Sequence, residues 1–329
     1  MTDLSTTYMG LALKNPIIVG SSDLTMSVDR VRECEEAGAG AVVLKSLFEE
    51  QIENEIRQAR NQSSFPDNHT EAHDYIRQTA LHLSEDKYLR LIKDAKRSVS
   101  IPVIASLNCI RPDWWTSYAN KIEEAGADGI ELNIAIMPTY LMQTAAQVET
   151  NYVRIVESVR EKVSLPISVK IGPYFTSLPH TARALRNAGA EVLVLFNRFS
   201  QFDIDIENME LAHRYHYSTP SEIYLSLRWV AVLATQTGCQ LASATGVHDG
   251  TGVIKQLLAG AQAVHICSIL MQKGLNRIAE ILEELEKWMK RHNFETINDF
   301  QGRMSMELDS KPDFYQRQQY INVLAGLEP

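Results

Sequence analysis

Leu165-Pro-Ile-Ser-Val-Lys-Ile-Gly-Pro173 reads as a short buried strand, Ile167 to Ile171, with a proline before it and a Gly-Pro stop after it. Lys170 sits near the strand's C-terminal end. A lysine in a buried strand loses hydration at a cost of several kcal/mol unless an anion or hydrogen-bond acceptor meets it. Either the side chain snorkels to the sheet edge, or it is held under an electron-rich ligand. The rest of the chain bears on that choice.

Similar runs recur on both sides of this stretch. Pro16–Gly20, Ala41–Lys45, Pro102–Leu107 and Gly129–Asn133 precede it, and Val192–Asn197, Gln240–Thr245 and Ala263–Cys267 follow. Continuous Val/Ile/Leu runs without strict alternation suit parallel strands buried on both faces. Eight of them separated by helical segments predict an α/β fold, a (β/α)8 TIM barrel with loop insertions on its C-terminal face. An internal echo supports that count. Ala-Gly-Ala at 37–39, 125–127, 188–190 and 259–261 precedes each even-numbered strand, where the glycine can take the left-handed helix end. Pro16, Pro102 and Pro166 open three of the odd strands, where a proline forfeits no ladder bond.

The 329 residues are 45% hydrophobic and 22% charged, and one barrel with extensions fits that length as a single domain, 1–329. A formal net charge of −9 argues against a nucleic-acid or anionic-membrane surface. No apolar run approaches the roughly 20 residues that span a bilayer. MTDLSTTYMG has no basic segment followed by an apolar core, so the expected location is the cytoplasm. Cys34, Cys109, Cys239 and Cys267 lack metal-type spacing and are expected to be buried thiols; no metal is expected.

The connections are uneven. About fifty residues separate the second and third strands, including the polar stretch Arg60–His69 and a helix expected to be capped by Ser84 and to run toward Arg97. Such an excursion falls on the catalytic face and is a candidate lid. Phe199 to Pro220 forms a second excursion, an amphipathic helix from Asn276 to Arg291 closes the barrel, and the tail 306–329 has no clear periodicity and is expected to pack on a neighbouring subunit.

Strand C-termini carry the working residues of such barrels. Here they are Gly20-Ser-Ser22, Lys45-Ser46, Asn108-Cys109, Asn133, Lys170, Asn197-Arg198, Thr245-Gly246 and Cys267-Ser268. The set is rich in amides, has two lysines and lacks paired carboxylates, which argues against glycoside hydrolysis. It suits a planar, polar, partly anionic ligand. Thr245-Gly246 and Cys267-Ser268 end the last two strands, a common place for a phosphate.

On these residues the chain resembles the class 1 dihydroorotate dehydrogenases along nearly its full length. Asn15-Pro16 with Gly20-Ser21, Lys45-Ser46, Glu131-Leu-Asn133, Val169-Lys170 and Asn197 are similar to family strand ends. Tyr217–Pro220, Leu227-Arg-Trp-Val230, Ala259–Val264 and Ile297-Asn-Asp-Phe300 are similar to later family segments. The resemblance implies a homodimeric FMN enzyme that transfers hydride between flavin and a small anionic, dihydroorotate-like substrate. It implies cofactor contacts at Gly20, Ser21, Lys45, Ser46, Asn133, Lys170, Asn197, Ser218, Thr245, Gly246, Cys267 and Ser268, with Lys170 at the flavin N1–O2 edge. Lys45, Asn133 and Arg198 are the catalytic or substrate-contact candidates, Arg198 as a clamp for a carboxylate.

Most departures concern the substrate side, and near the phosphate Thr219 and Thr245 replace family glycines. Where the family has a Cys or Ser base this chain has Ile136, its substrate loop is not recognisable after Lys45, and Arg198 replaces a serine. Cys109, Tyr140 and His180 are candidate replacement bases. Two other readings stay open: a flavin-binding relative without turnover, and a phosphate-binding barrel lyase using Lys170 as a Schiff-base amine.

Overall fold

The computed structural model describes residues 2–50, 54, 87–108, 112–198, 203–212 and 216–306. Its strands are β1 Thr6–Tyr8, β2 Leu11–Leu13, β3 Ile17–Val19, β4 Ala41–Val43, β5 Leu47–Phe48, β6 Val103–Asn108 and β7 Gly129–Asn133. They continue with β8 Ile167–Ile171, β9 Val192–Leu195, β10 Ile204–Asp205, β11 Glu210–Leu211, β12 Gln240–Ala244 and β13 Ala263–Ile266. Among the described residues, β3, β4, β6, β7, β8, β9, β12 and β13 pair in parallel in that order, and β13 returns to β3. The sheet is closed where Val42 and Val43 of β4 pair with Val103 and Ile104 of β6. This is the expected (β/α)8 barrel, with each strand lying inside its expected run or within one residue of it.

A helix follows each barrel strand: Val28–Glu36, a helical segment over 87–98, Pro112–Glu124, Ala145–Arg160, Leu178–Asn187, Ile223–Leu233, Gly250–Ala259 and Arg277–Arg291. Local chemistry sets their ends. Ser27 and Asp249 cap helix starts by accepting from Arg30 and Gly252 amides. Gly38, Gly126, Gly189 and Gly260, the glycines of the Ala-Gly-Ala echo, all have positive φ between 87° and 115° and turn the chain from helix into strand. Just ahead of three strands, the carbonyls of Pro16, Pro102 and Pro166 accept the ladder bonds of Val264, Val42 and Ile130. Arg277–Arg291 buries Ile278, Ile281, Leu285 and Met289 and pairs Glu283 with Lys287 and Glu286 with Lys290 on its wet side.

The core has two layers. Between strands and helices lie Trp115, Ile122, Ile92 and Leu285, all fully buried. Inside the barrel, Ile18, Ala41, Val43, Ile104, Val192, Val194, Ala242 and Ala263 pack with Tyr8, Met9 and Leu13. The last three belong to an antiparallel β1–β2 hairpin, which turns at Met9-Gly10 with both φ positive. Its Met9 amide donates to the Gln240 side chain at the start of β12, so the hairpin plugs the barrel's N-terminal end. The second excursion contains the small β10–β11 hairpin.

Arg60–His69, the Ser84 cap, Cys109, and the tail beyond Met306 lie outside the described residues. Met306 itself docks on this chain, its amide donating to the Ala231 carbonyl at 2.8 Å. Among the described residues, no helix is long and apolar enough to cross a membrane.

Leu13 is 2% exposed under the barrel floor, whereas its neighbour Ala12 is exposed. Leu13→Ala should cost about 2–5 kcal/mol in urea unfolding, and Ala12→Ser should stay within about 0.5 kcal/mol.

Candidate active site

Parallel closure brings all eight strand C-termini to one mouth, and polar side chains there are already bonded to one another. Ser21 Oγ lies 2.9 Å from Ser46 Oγ, which lies 2.8 Å from Ser106 Oγ. The Asn197 amide donates to Asn133 Oδ1 at 2.8 Å. Gly20 sits so close to the last strand that a Cβ there would meet the Cys267 sulfur at 2.9 Å. Gly246, at φ +80°, passes beneath the helix Ile223–Leu233, and a Cβ would lie 2.2 Å from the Ile223 nitrogen. Only glycine fits both the conformation and the space.

These residues surround a cavity of about 160 Å³. Ser21, Lys170, Asn197, Arg198, Ser218, Thr245, Gly246, Cys267 and Ser268 all line it. Ser46 and Asn133 stand behind Ser21 and Asn197, one hydrogen bond away. An adjoining cleft of about 340 Å³ shares Phe196, Asn197, Arg198, Ala244 and Thr245 and opens past Tyr174 and Leu225. Thr245 holds φ +75° and spends its hydroxyl proton on the Phe196 carbonyl.

Beneath Lys170 the barrel interior is polar. In register, Glu131 faces Ser106 on one side and Ser168 on the other, and Asn133 faces Lys170. Glu131 is fully buried, and neither carboxylate oxygen has a hydrogen-bond partner. Burial pushes its pKa up, against the pull of the Lys170 cation. His265 Nδ1 lies 3.7 Å from Glu131 Oε2, and His265 Nε2 lies 3.2 Å from the Tyr8 hydroxyl. Burial, reinforced by Lys170, pushes the His265 imidazole down to about 3. This imidazole also lines the 160 Å³ cavity beside Lys170.

Several expected residues are arranged differently. Lys45 turns its ammonium to Asp23 at 2.6 Å and does not line the cavity. Arg198 reaches the cavity wall but donates to both oxygens of Glu222, at 2.7 and 3.4 Å, and to the His216 carbonyl. Burial works against the Glu222 charge, yet Arg198 and the Thr219 amide outweigh it and hold its pKa below the usual range. A carboxylate ligand would therefore have to displace Glu222 from the guanidinium. Tyr140, 80% exposed, and His180, exposed on its helix, line neither cavity. Ile136 is half-buried, its amide donating to the Tyr152 hydroxyl at 3.2 Å. Cys34 and Cys239 are buried thiols as expected, but Cys267 is partly exposed on the cavity wall. The sequence reading did not single out Glu131, His265, Tyr8 or His248 for the site. The signal for His265 was a histidine inside an otherwise apolar strand run.

A parallel barrel whose strand ends enclose a lysine-bearing pocket with several hydroxyls defines a protein of the (β/α)8 class. A family model described as dihydroorotate dehydrogenase matches residues 3–289. The chain is 27% identical over 310 residues to the catalytic subunit of dihydroorotate dehydrogenase B (NAD(+)) from Thermoplasma volcanium, covering 92% of this chain and 98% of the relative. It is 26% identical to the protein of that name from Pyrococcus furiosus, covering 89% and 96%. It is 24% identical to the chloroplastic dihydropyrimidine dehydrogenase (NADP(+)) of Arabidopsis thaliana, covering 96% and 80%. The chain belongs to the dihydroorotate dehydrogenase family of oxidoreductases.

Gly246→Ala should destabilise the protein by more than the 1–2 kcal/mol that a left-handed conformation alone costs, because the backbone at Ile223 would also have to move; urea unfolding reads this. His265 yields a pH signature. The unfolded chain protonates this imidazole below about pH 6.5, and the folded chain only near 3, so the unfolded state holds the extra proton between them. Stability therefore falls as pH drops from 6.5 to 3. His265→Gln removes that contribution, so the stability gap between wild type and variant should narrow over this window. A gap constant with pH would show that the buried imidazole does not titrate this way.

Proposed function

We propose that this chain is an FMN-dependent oxidoreductase acting on a CH–CH bond of a small, anionic, pyrimidine-like molecule of the dihydroorotate kind. The observation that carries the reading is Lys170, half-buried in a cavity whose other lining includes four hydroxyls, the Asn197 amide, the Gly246 turn and Arg198, whose guanidinium is already paired with Glu222. A cation so placed lowers the energy of electron density on a heteroaromatic ring edge. Size is compatible as well. The 160 Å³ cavity alone is too small for a flavin nucleotide, but joined to the 340 Å³ cleft it enters the range of about 300–1,000 Å³ usual for such sites.

FMN bound there would supply a two-electron acceptor. The chain's own residues would do the rest. Ser218, Ser268 and the Gly246 backbone would hold the phosphate end, and Lys170 would stand at the ring's polar edge. The Asn133–Asn197 pair would offer amide groups to a ring or a substrate. Ile136, in the family's base position, cannot take a proton. This observation favours a second reading, a flavin-binding relative without turnover. The proposal includes a homodimer, supported by Ile204, Met209 and Leu211 standing more than half exposed around the β10–β11 hairpin, where a second copy would remove them from water.

The test is an absorption spectrum of the purified protein, followed by anaerobic dihydroorotate. A yellow protein bleached by dihydroorotate fits the enzyme reading, and yellow without bleaching by dihydroorotate or related dihydropyrimidines fits the binder. A colourless protein that takes up no added FMN overturns both. Lys170→Ala should weaken flavin retention or lower the potential of the bound flavin; an unchanged potential and affinity would remove Lys170 from the site.

A further inference from the structure

At the end of the cavity proposed for the phosphate, hydrogen bonds join three residues, Ser268, Ser218 and His248. Ser218 and Ser268 both line the cavity. Ser268 Oγ accepts the Ser218 backbone amide at 3.1 Å. Ser218 Oγ lies 3.1 Å from Nε2 of His248, which stands behind it and does not line the cavity. The His248 main chain is fixed from the other side, where Arg277 donates to its carbonyl through both Nε and Nη2 at 3.3 Å.

A serine hydroxyl has one proton and two lone pairs, and a phosphate oxyanion can only accept. Ser268 already uses a lone pair on the Ser218 amide, which leaves its proton free for the cavity. Ser218 can give its proton to the cavity only if His248 Nε2 carries a hydrogen and donates to it. Burial holds the His248 pKa below its ordinary value, so near neutral pH the ring has a single N–H to place. Thr245 differs, since its proton is committed to the Phe196 carbonyl and it cannot serve an anion.

We infer that His248 is a positioning residue for phosphate. In its Nε2–H tautomer it turns the Ser218 hydroxyl into a donor aimed at the cavity, and so makes the pocket select FMN over unphosphorylated riboflavin. The inference rests on the FMN reading above. Hydrogen bonds to a charged acceptor are the strong ones, so the direction of a single hydroxyl is enough to separate the two flavins.

The experiment is flavin binding to the full-length apoprotein, followed by quenching of flavin fluorescence, with FMN and riboflavin measured in parallel. His248→Ala should weaken FMN at least about tenfold, which corresponds to about 1.4 kcal/mol, and leave riboflavin within about twofold. His248→Gln, whose terminal NH₂ stands in for Nε2–H, should recover most of the FMN affinity. Ser218→Ala should match His248→Ala, and the double variant should lose little more, because both act through one hydroxyl. Equal weakening of both flavins, unchanged FMN affinity in His248→Ala, or fully additive losses would each overturn this inference while leaving FMN binding intact. Wild-type protein that takes up neither flavin would overturn the FMN reading, and this inference with it.

Discussion

The site exists because β4 bonds to β6. Val42 and Val43 pair with Val103 and Ile104 across the longest stretch of chain between two consecutive barrel strands, and that pairing converts an open sheet into a closed one. Closure removes the free edges that a parallel sheet would otherwise expose. It also forces every strand to end at the same mouth, so side chains as distant in sequence as Ser21 and Ser268 come to line one cavity. The continuous Val/Ile/Leu composition of the strands is the condition for this arrangement, since each must be buried against helices outside and against the barrel interior within.

The interior is mixed. Ile18, Ala41, Val43, Ile104, Val192, Val194, Ala242 and Ala263 give it apolar side chains. Among them Ser106, Glu131 and Ser168, on the adjacent strands β6, β7 and β8, and His265 of β13 are buried polar groups. A buried carboxylate without a hydrogen bond is costly, and a purely structural barrel would fill that space with apolar side chains. Glu131, His265 and Tyr8 form a connected set directly below Lys170. They tie the packing of the barrel floor, through the β1–β2 plug, to the electrostatics of the ligand cavity.

The site itself was unevenly legible. Strand-end position was enough to place Lys170, Asn197, Thr245, Gly246, Cys267 and Ser268 on the cavity, because a parallel strand fixes where its last residue goes. It could not say where a long side chain would turn. Lys45 has the right backbone position, yet its flexible stem carries the ammonium to Asp23. Arg198 reaches the wall but is held by Glu222, 24 residues away, through a pairing that depends on how the chain returns after β9. His248 and His265 escaped notice for a related reason. A histidine's role is set by the partners of its two nitrogens, and those partners, Ser218, Tyr8 and Glu131, lie on other elements.

By itself the sequence determined the eight strands, the helices between them, the glycine-ended turns and the family. Each of these follows from local composition, period and left-handed or proline-compatible positions that need no distant partner. Only the tertiary structure decided the hairpin plug, the buried polar groups of the interior, the pairings that commit Lys45 and Arg198, and the contacts that join Ser218 to Ser268 and His248. Those depend on distances between residues up to 257 positions apart, as between Tyr8 and His265. Such distances are fixed by barrel closure and by no property of either residue alone.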